Sequence, residues 1–285
     1  MTPVLVRQHP PHAGPASRVD LGARARDWSE IQERMLVPLY EAVHERLDVG
    51  PGTRLLSLGC GSGLALLMAA SRGAALTGVE SSSPARLALA RERLLRENGG
   101  ARARADVRLV DRLPTDGPAA RASAYTVVTA FEPIGRVAGD TEALTALLAA
   151  AAPLARRGAP VVLVGWGPPE RCATTAVLRV AARLADQDRG TVRLRPGLRD
   201  DLEDVARRAG LRPDGSGRVA CPFGYADLDS ALRGLLSTGL FDAAVTATDQ
   251  AQVDKEVSEA LQPYRRSDGT VWMPNVFQYL IARTP

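Results

Sequence analysis

The sequence predicts an α/β protein with a seven-stranded, mostly parallel sheet that carries helices on both faces. Short apolar segments alternate with amphipathic ones over most of the chain, a pattern typical of βαβ units. A glycine-rich turn follows the first apolar segment, where a strand would pass into a helix. The chain has 285 residues, of which 45% are hydrophobic. That is enough apolar side chain to fill the core of one large domain.

The first 50 residues predict a leader followed by a lid helix, and residues 51–285 predict the main domain. Residues 1–25 include the segment HPPHAGPAS, whose Pro and Gly content predicts a flexible leader. From Trp28 onward, apolar residues recur at three- and four-residue steps, which predicts an amphipathic helix. We expect Pro38 to bend or split that helix.

The central part of the chain predicts alternating strands and helices. Strands are expected at residues 53–58, 75–80, 106–110, 124–130 and 159–165, and helices near residues 63–72, 84–97, 141–156 and 171–186. The segment DDLEDVARRAG predicts one more helix, ended by Gly210, because glycine readily adopts the left-handed conformation of a helix C-terminus.

The C-terminal part predicts two further strands separated by helices. SGRVACPFGY (216–225) is expected as the sixth strand and TVWMPNVFQYLIA (270–282) as the seventh. Residues 226–263 between them have a helical pattern, although a hairpin connection needs only a few residues. We expect these helices to form an inserted cap over the functional site, and an added packing layer is the alternative.

The charge pattern argues against a nucleic-acid partner. The net charge is only +4, and the 36 basic residues, all arginine except Lys255, are interleaved with 32 acidic ones. A phosphate-binding surface would concentrate basic charge on one face. The densest basic stretch predicts a solvated rim of the sheet, with a steering patch as the alternative; it contains Arg102, Arg104, Arg108 and Arg112.

The cysteine and histidine content predicts neither disulfides nor a metal site. Cys60, Cys172 and Cys221 are far apart, and three histidines are too few and too scattered for a metal cluster. The sequence has no long apolar run and no apolar signal core, so neither a membrane span nor secretion is expected. We expect a cytoplasmic protein that is a monomer or a homodimer.

The most informative segment is LLSLGCGSGLA (55–65), in which Gly59, Gly61 and Gly63 follow a buried strand. Glycines allow a sharp turn and let a ligand approach the backbone closely. The next helix N-terminus offers free N–H groups to an anionic group. A purely structural turn remains open on the glycines alone. Leu64 stands where a dinucleotide-binding fingerprint has its third glycine, so the sequence does not match the pyrophosphate fingerprint.

Glu80 ends the second strand, about twenty residues after the glycine turn. Nucleotide-binding α/β folds place an acid at this point to accept hydrogen bonds from ribose hydroxyls. The alternative is a helix N-terminal acid that complements the helix dipole.

LLSLGCGSG followed by LTGVESSSPARLALARERL resembles motif I and the second strand–helix unit of class I S-adenosylmethionine (SAM)-dependent methyltransferases. The resemblance covers about residues 28–165, and the whole chain is similar to the type 11, UbiE-like enzymes of actinobacterial secondary metabolism. It implies a Rossmann-like fold, SAM as cofactor and a small-molecule methyl acceptor. The N-P-P-Y motif of nucleic-acid amino methyltransferases is absent after strand four, where FEPI stands.

The resemblance also implies residue roles, and one departure from the family pattern. The motif I turn would line the methionine portion, the acid after strand two the ribose, the loop after strand three the adenine, and the end of strand four the sulfur. The residues assigned in this way are Gly59, Cys60, Gly61, Glu80, Ser81, Asp111, Arg112, Leu113, Ala130 and Phe131. Ser57 stands where the family usually has an acid that orients the methionine amino group. Serine supplies no charge, so weaker cofactor affinity is expected.

Candidate catalytic bases for a hydroxyl acceptor are Glu132, His44 and Glu170. Glu132 is favoured because it directly follows the fourth strand, whereas His44 is expected to be an ordinary helix residue. The acceptor could be walled by Trp28, Tyr40, Trp166, Tyr225 and Tyr264, each of which is equally expected in a plain core. Two other functions stay open. One is a SAM-binding enzyme of this fold with a non-methylating reaction, and the other is a SAM-binding module that acts through a partner docked on residues 226–263.

Overall fold

A computed structural model describes residues 20–97, 107–114, 124–185 and 200–285. Most of the expected leader lies outside these ranges, as do Arg102 and Arg104 of the basic stretch. Within the described residues, no helix is long and apolar enough to cross a bilayer. The three cysteines are buried and free, and no group of His, Cys, Asp or Glu side chains in the described ranges could hold a metal ion.

The predicted seven-stranded, mostly parallel sheet is confirmed. Its strands run in the order β3-β2-β1-β4-β5-β9-β6. Strands β1 to β5 are parallel, whereas β9 is antiparallel to both β5 and β6. The strands are β1 Arg54–Leu58, β2 Ala75–Val79, β3 Val107–Val110, β4 Val127–Ile134, β5 Pro160–Trp166, β6 Arg212–Ala220, β7 Phe223–Tyr225, β8 Val271–Met273 and β9 Val276–Arg283.

Helices follow the strands much as their periodicity predicts. The α-helices of the described chain are α1 Leu21–Asp27, α2 Val37–Arg46, α3 Leu64–Ser71, α4 Pro84–Glu97, α5 Asp140–Ala151, α6 Thr174–Ala185, α7 Asp201–Arg208, α8 Leu228–Leu236, α9 Asp242–Ala247 and α10 Gln250–Leu261. A π-helical turn (Trp28–Gln32) and a 3-10 turn (Glu33–Leu36) join α1 to α2. We call residues 28–40 the N-terminal segment.

The sheet has a hydrophobic core on each face. The side chains of β5 pack alternately in the two cores, because successive side chains of a strand point to opposite faces of the sheet. Val162 and Val164 pack in one core with α2, α6 and the helices α8 to α10. Val161 and Leu163 pack in the other with α5 and α7. The carboxyl edge of the parallel strands, between these layers, is where ligands bind in open α/β sheets.

The N-terminal helix begins earlier than its periodicity indicates. Asp20 Oδ1 accepts hydrogen bonds from Gly22 N (2.9 Å) and Ala23 N (3.0 Å), so α1 starts at Leu21 and not near Trp28. An aspartate N-cap satisfies N–H groups that an α-helix leaves free in its first turn. Pro38 lies in the first turn of α2, where its missing N–H costs no helical hydrogen bond.

The two C-terminal strand predictions were each wrong in one respect. The segment 216–225 is divided between β6 and β7, and the segment 270–282 between β8 and β9. Pro222 and Pro274 stand at the two breaks, and a proline cannot donate to a strand ladder. Strands β7 and β8 instead form a separate two-stranded sheet.

The predicted helical insertion is present as α8 to α10, between β7 and β8. Phe241, Val253, Val257 and Leu261 of this insertion are fully buried in the core that it shares with α6. The insertion is therefore packed on the domain along its apolar side. Its role as a cap over the site remains a prediction.

Candidate active site

A cleft lies at the carboxyl ends of β1, β2 and β4, beneath the N-terminal segment. The empty volume of the cleft, including its open mouth, is about 400 Å³, but the volume that the centre of a water molecule can occupy is only about 20 Å³. That is room for about one or two water molecules, so the cleft is narrow as it stands. It is lined by Trp28, Glu33, Leu36, Tyr40, Ser57, Gly59, Cys60, Gly61, Ala65, Glu80, Arg86, Phe131, Glu132 and Pro133.

The glycine turn forms the floor of the cleft, and all three of its glycines have positive φ angles (62°, 58° and 84°). L-amino acids other than glycine rarely adopt this conformation. Gly63 also permits close packing of α3 on α4, since a Cβ there would lie 3.1 Å from Ala90 Cβ. Gly61 opens onto the cleft, where a Cβ would lie 3.0 Å from Glu33 Oε1 and 3.3 Å from Trp28 Nε1.

Glu80 is buried at the end of β2 and fixes the glycine turn. Its Oε2 accepts a hydrogen bond from Gly61 N at 3.0 Å. Its Oε1 accepts from Ser82 N (2.9 Å) and Ser83 N (3.1 Å) at the entry to α4. Glu80 therefore caps the N-terminal end of α4, which was the alternative role considered from the sequence. The same carboxylate also lines the cleft. Ser81, in contrast, is exposed and outside the cleft lining.

Glu33 brings a second buried carboxylate to the glycine turn, which sequence analysis missed. Its side chain is only 3% exposed. Oε1 accepts from Ser62 N (3.2 Å) and Leu64 N (3.4 Å) at the start of α3. Oε2 accepts from Arg93 Nη1 (2.8 Å) and from the Ser62 hydroxyl. The N–H groups that a bound anion would use are thus already occupied by this carboxylate.

Trp28 covers the same turn and has an unsatisfied donor. Its Nε1 is buried and has no hydrogen-bond partner among the described residues. The Arg86 guanidinium lies over the indole ring, 4.1 Å from its centroid, and Arg86 Nη2 donates to the Ser237 carbonyl at 3.0 Å. Burial lowers the pKa of Arg86, and nearby Glu132 and Glu80 oppose that shift. Arg86 therefore joins the cleft to the helical insertion.

Glu132 reaches the cleft from an irregular part of β4. The pairing of β4 with β5 shifts register between Ala130 and Ile134, and such bulges re-aim side chains next to functional sites. Glu132 Oε2 lies 3.3 Å from the point where a Gly59 Cβ would be. Glu132 keeps accessible surface and is part of the cleft lining. Desolvation raises the pKa of Glu132, Arg86 lowers it, and Glu80 raises it further.

Two aromatic rings form the apolar wall next to Glu132. Tyr40 of α2 and Phe131 of β4 lie with their ring centroids 4.8 Å apart. Both residues are buried, and burial raises the pKa of Tyr40 well above its usual value, with nearby Glu33 adding to the rise. The fourth strand was expected to end at residue 130, but β4 continues to Ile134, so Phe131 lies within the strand and not at its end. Ala130 is buried behind the cleft lining.

The residues expected near adenine lie outside the cleft lining. Asp111 and Arg112 are exposed after β3 and form an ion pair with each other at 3.4 Å. Leu113 is partly buried and packs on the core beneath β4. Residues 115–123, which follow them, lie outside the described ranges. The adenine assignments stay predictions.

Only one of the three candidate bases, Glu132, lines the cleft. His44 is fully buried one turn after Tyr40, and its ring lies edge-on to Phe131 at 5.9 Å. Burial, with a smaller contribution from Arg72, lowers the pKa of His44 to about 4. Glu170 is exposed on a 3-10 turn after β5.

Comparisons with solved structures place the fold. A candidate methyltransferase from Bacillus halodurans C-125 matches with a TM-score of 0.52 and 14% identity, over 86% of this chain and 98% of that one. YjhP from E. coli matches with a TM-score of 0.50 and 20% identity, over 92% and 99%. YcgJ from Bacillus subtilis matches with a TM-score of 0.50 and 14% identity, over 86% and 98%.

These similarities confirm the resemblance to class I SAM-dependent methyltransferases at the level of the fold. Identities of this size say nothing about substrate or activity. A scan against protein-family models gives no match for this chain, and a search of curated proteins gives none either.

Proposed function

We propose that the protein is a SAM-dependent methyltransferase that acts on a small-molecule acceptor. The observation that carries the proposal is the small gap that Gly61 leaves beside Glu80, between Glu33 Oε1 and the unsatisfied Trp28 Nε1. A Cβ at Gly61 would fill this space, and a buried donor without a partner is rare in a folded protein. Both features fit a ligand held against the motif I turn. The fold shared with class I methyltransferases supports the same proposal.

The charges around the cleft also suit SAM, whose sulfonium and ammonium groups are cationic. Glu33, Glu80 and Glu132 all line the cleft, and Arg86 is the basic residue of the described lining. Arg93 pairs with Glu33 from behind the lining, so the carboxylates outnumber the arginines by one. Opposite charges 4 Å apart attract by about 4 kcal/mol at an effective dielectric constant of about 20. This excess of carboxylates disfavours a phosphate ligand and favours a cation with one anionic group.

The bound cofactor would supply an electrophilic methyl group on its sulfonium sulfur. Gly59 and Gly61 would allow its methionine portion to approach the backbone, and Glu80 would accept hydrogen bonds from the ribose. Phe131 would lie under the sulfur and exclude water from it. Holding the two reactants in line supplies much of the rate of such a displacement.

Glu132 is the residue proposed to take a proton from the acceptor. It is a carboxylate on the cleft wall, and desolvation raises its pKa towards the range useful for a base. An acceptor hydroxyl or amine placed between Glu132 and Tyr40 would lose its proton to Glu132 as the methyl group arrives. An acceptor that is already nucleophilic would need no base.

We propose that the N-terminal segment moves outward to admit the cofactor and then packs back onto it, because the cleft is too narrow for the cofactor to enter in the present conformation. The helical insertion braces this segment at several points. Gly234 of α8 packs closely on the segment, since a Cβ there would lie 2.9 Å from Ile31 Cγ2. Tyr225, just before the insertion, donates to Gln32 Oε1 at 2.9 Å, and Arg24 of α1, which precedes the segment, pairs with Asp242 at 2.7 Å. The expected cap is therefore a joint structure, in which the N-terminal segment covers the cleft and the insertion supports it.

Two measurements test the proposed function. Calorimetry with S-adenosylhomocysteine asks whether the site takes the cofactor. Transfer of labelled methyl from SAM to a panel of small phenols, amines and carboxylic acids asks whether the protein methylates. Binding with transfer supports the proposal. Binding without transfer to any acceptor favours the non-methylating alternatives, and no binding rejects all of these functions.

A further inference from the structure

We infer that the N-terminal segment forms the amino-acid end of the cofactor site, with Glu33 receiving the ammonium group of the methionine portion and Trp28 Nε1 donating to its carboxylate. This inference rests on the proposed function, since it concerns how this chain would hold SAM. In the family, an acid in motif I usually orients the methionine amino group, whereas here Glu33 of the N-terminal segment would do so.

Motif I of this chain has Ser57 at the position where the family usually has an acid. Ser57 lines the cleft and is buried, but its hydroxyl carries no charge. A ligand ammonium in that place would be desolvated without a counter-charge, which is costly. Glu33 supplies such a charge from across the cleft, with Oε1 only 3.0 Å from the Cβ position of Gly61.

Glu33 is held in place firmly enough to act as a fixed counter-charge. Arg93 ties it down through Oε2 and is itself anchored by Ser29 Oγ (2.7 Å) and the Ser62 carbonyl (3.0 Å). The atom nearer the cleft, Oε1, receives only the two longer N–H contacts of 3.2 and 3.4 Å. A carboxylate oxygen can accept further hydrogen bonds, so Oε1 has capacity for a ligand donor.

Trp28 provides a hydrogen-bond donor, and Arg86 a positive charge, for the carboxylate of the ligand. The unsatisfied Trp28 Nε1 lies 3.3 Å from the same Cβ position as Glu33 Oε1. The Arg86 guanidinium stacks on the indole ring and lines the cleft. Glu33 Oε1 and the Trp28 donor therefore both lie within 3.3 Å of one point at the cleft floor, with the Arg86 cation over the indole ring. The carboxylate of the methionine portion would lie on this side, away from the α3 N-terminus that Glu33 already occupies.

Calorimetry on Glu33→Gln and Trp28→Phe with three ligands tests the Glu33–ammonium contact and the Trp28–carboxylate contact separately. S-adenosylhomocysteine has both charged groups, its des-amino analogue keeps only the carboxylate, and 5′-methylthioadenosine has neither. We expect Glu33→Gln to weaken S-adenosylhomocysteine at least tenfold and the other two ligands less than twofold. Trp28→Phe should weaken the first two ligands and spare 5′-methylthioadenosine. Glu30→Gln, at an exposed glutamate three residues before Glu33, is the matched control and should change nothing.

The outcomes distinguish this inference from the proposed function. If the wild-type protein binds none of the three ligands, the proposed function fails and the inference with it. If it binds S-adenosylhomocysteine but Glu33→Gln weakens all three ligands equally or none of them, Glu33 is only structural and the inference is wrong. Should Glu33→Gln fail to fold, Trp28→Phe decides alone, because phenylalanine keeps a ring beneath Arg86 and removes only the donor.

Discussion

The Glu33 carboxylate and the Arg93 guanidinium lie 2.8 Å apart, with side chains 3% and 16% exposed. This pair joins the N-terminal segment to α4, directly above the glycine turn. Removing one partner of a buried ion pair leaves an uncompensated charge and costs about 3–5 kcal/mol. We therefore expect Arg93→Met to lower the free energy of unfolding by about 3 kcal/mol, measured by urea denaturation.

The exposed pair Arg183–Glu256 provides the matched control for that experiment. Arg183→Met should cost less than about 1 kcal/mol, because water screens exposed ion pairs. The double variant Glu33→Gln/Arg93→Met should be more stable than Arg93→Met alone. Equal losses at Arg93 and Arg183 would show that the buried pair is not what holds the segment in place.

Glu80→Gln is expected to weaken S-adenosylhomocysteine and 5′-methylthioadenosine alike, by roughly 1–3 kcal/mol, because both ligands contain the ribose. The amide has one acceptor oxygen where the carboxylate has two, so it can accept either from Gly61 N or from Ser82 N and Ser83 N, but not from both sides. Calorimetry with the two ligands measures the effect, and circular dichroism checks the fold. Unchanged affinity in a folded variant would limit Glu80 to its contacts with Gly61, Ser82 and Ser83.

His44 should make the protein sensitive to acid. Its pKa is lowered from 6.5 to about 4 in the folded state, so below pH 6.5 the unfolded chain binds a proton that the folded chain does not. Stability is therefore lost as the pH falls from about 6.5 to about 4, and one such group contributes a loss of about 2 kcal/mol at pH 5.

His44→Leu removes the titrating group without breaking a hydrogen bond, since neither ring nitrogen has a partner among the described residues. Urea denaturation of both proteins at pH 7.5 and pH 5 gives the comparison. The variant should lose about 2 kcal/mol less than the wild type over this range. Parallel losses in the two proteins would assign the acid sensitivity to other groups.

Cofactor binding should protect the N-terminal segment and α8 from hydrogen exchange, because these elements cover the cleft or brace its cover. Exchange with and without S-adenosylhomocysteine compares them with α5, which lies on the opposite face of the sheet and should not change. Strong and equal protection of residues 28–40 and 228–236 in both states would mean a permanently packed layer, and the cap would then have to be abandoned.

The sequence predicted those features that depend on backbone geometry. The strands β1 to β5, the left-handed glycines and the buried acid after β2 follow from apolar periodicity and from turns that only glycine makes easily. Glu33 was not recognised as a site residue, and Trp28 was expected only as a candidate wall of the acceptor pocket, because the sequence of a helix does not show whether a side chain faces solvent, core or ligand. Their roles depend on how the N-terminal segment packs over the glycine turn, which is a contact between residues about thirty positions apart. The strand breaks at Pro222 and Pro274 were predictable from the two prolines, but the apolar pattern of each segment favoured one unbroken strand.

The most direct test of the central claim, that the Gly61 turn is a cofactor site, is calorimetry with S-adenosylhomocysteine on Gly61→Ala and Gly158→Ala. Both glycines have positive φ angles, 58° and 72°, so both variants bear a similar backbone strain of about 1–2 kcal/mol. A Cβ at Gly158 meets nothing within 4 Å, whereas one at Gly61 would lie in the cleft, 3.0 Å from Glu33 Oε1 and 3.3 Å from Trp28 Nε1. Circular dichroism and urea denaturation therefore first establish that Gly61→Ala keeps the wild-type fold. We predict one-to-one binding by the wild type and by Gly158→Ala, and at least a tenfold loss in Gly61→Ala. Equal affinity in both variants, or no binding by the folded wild type, would contradict the claim.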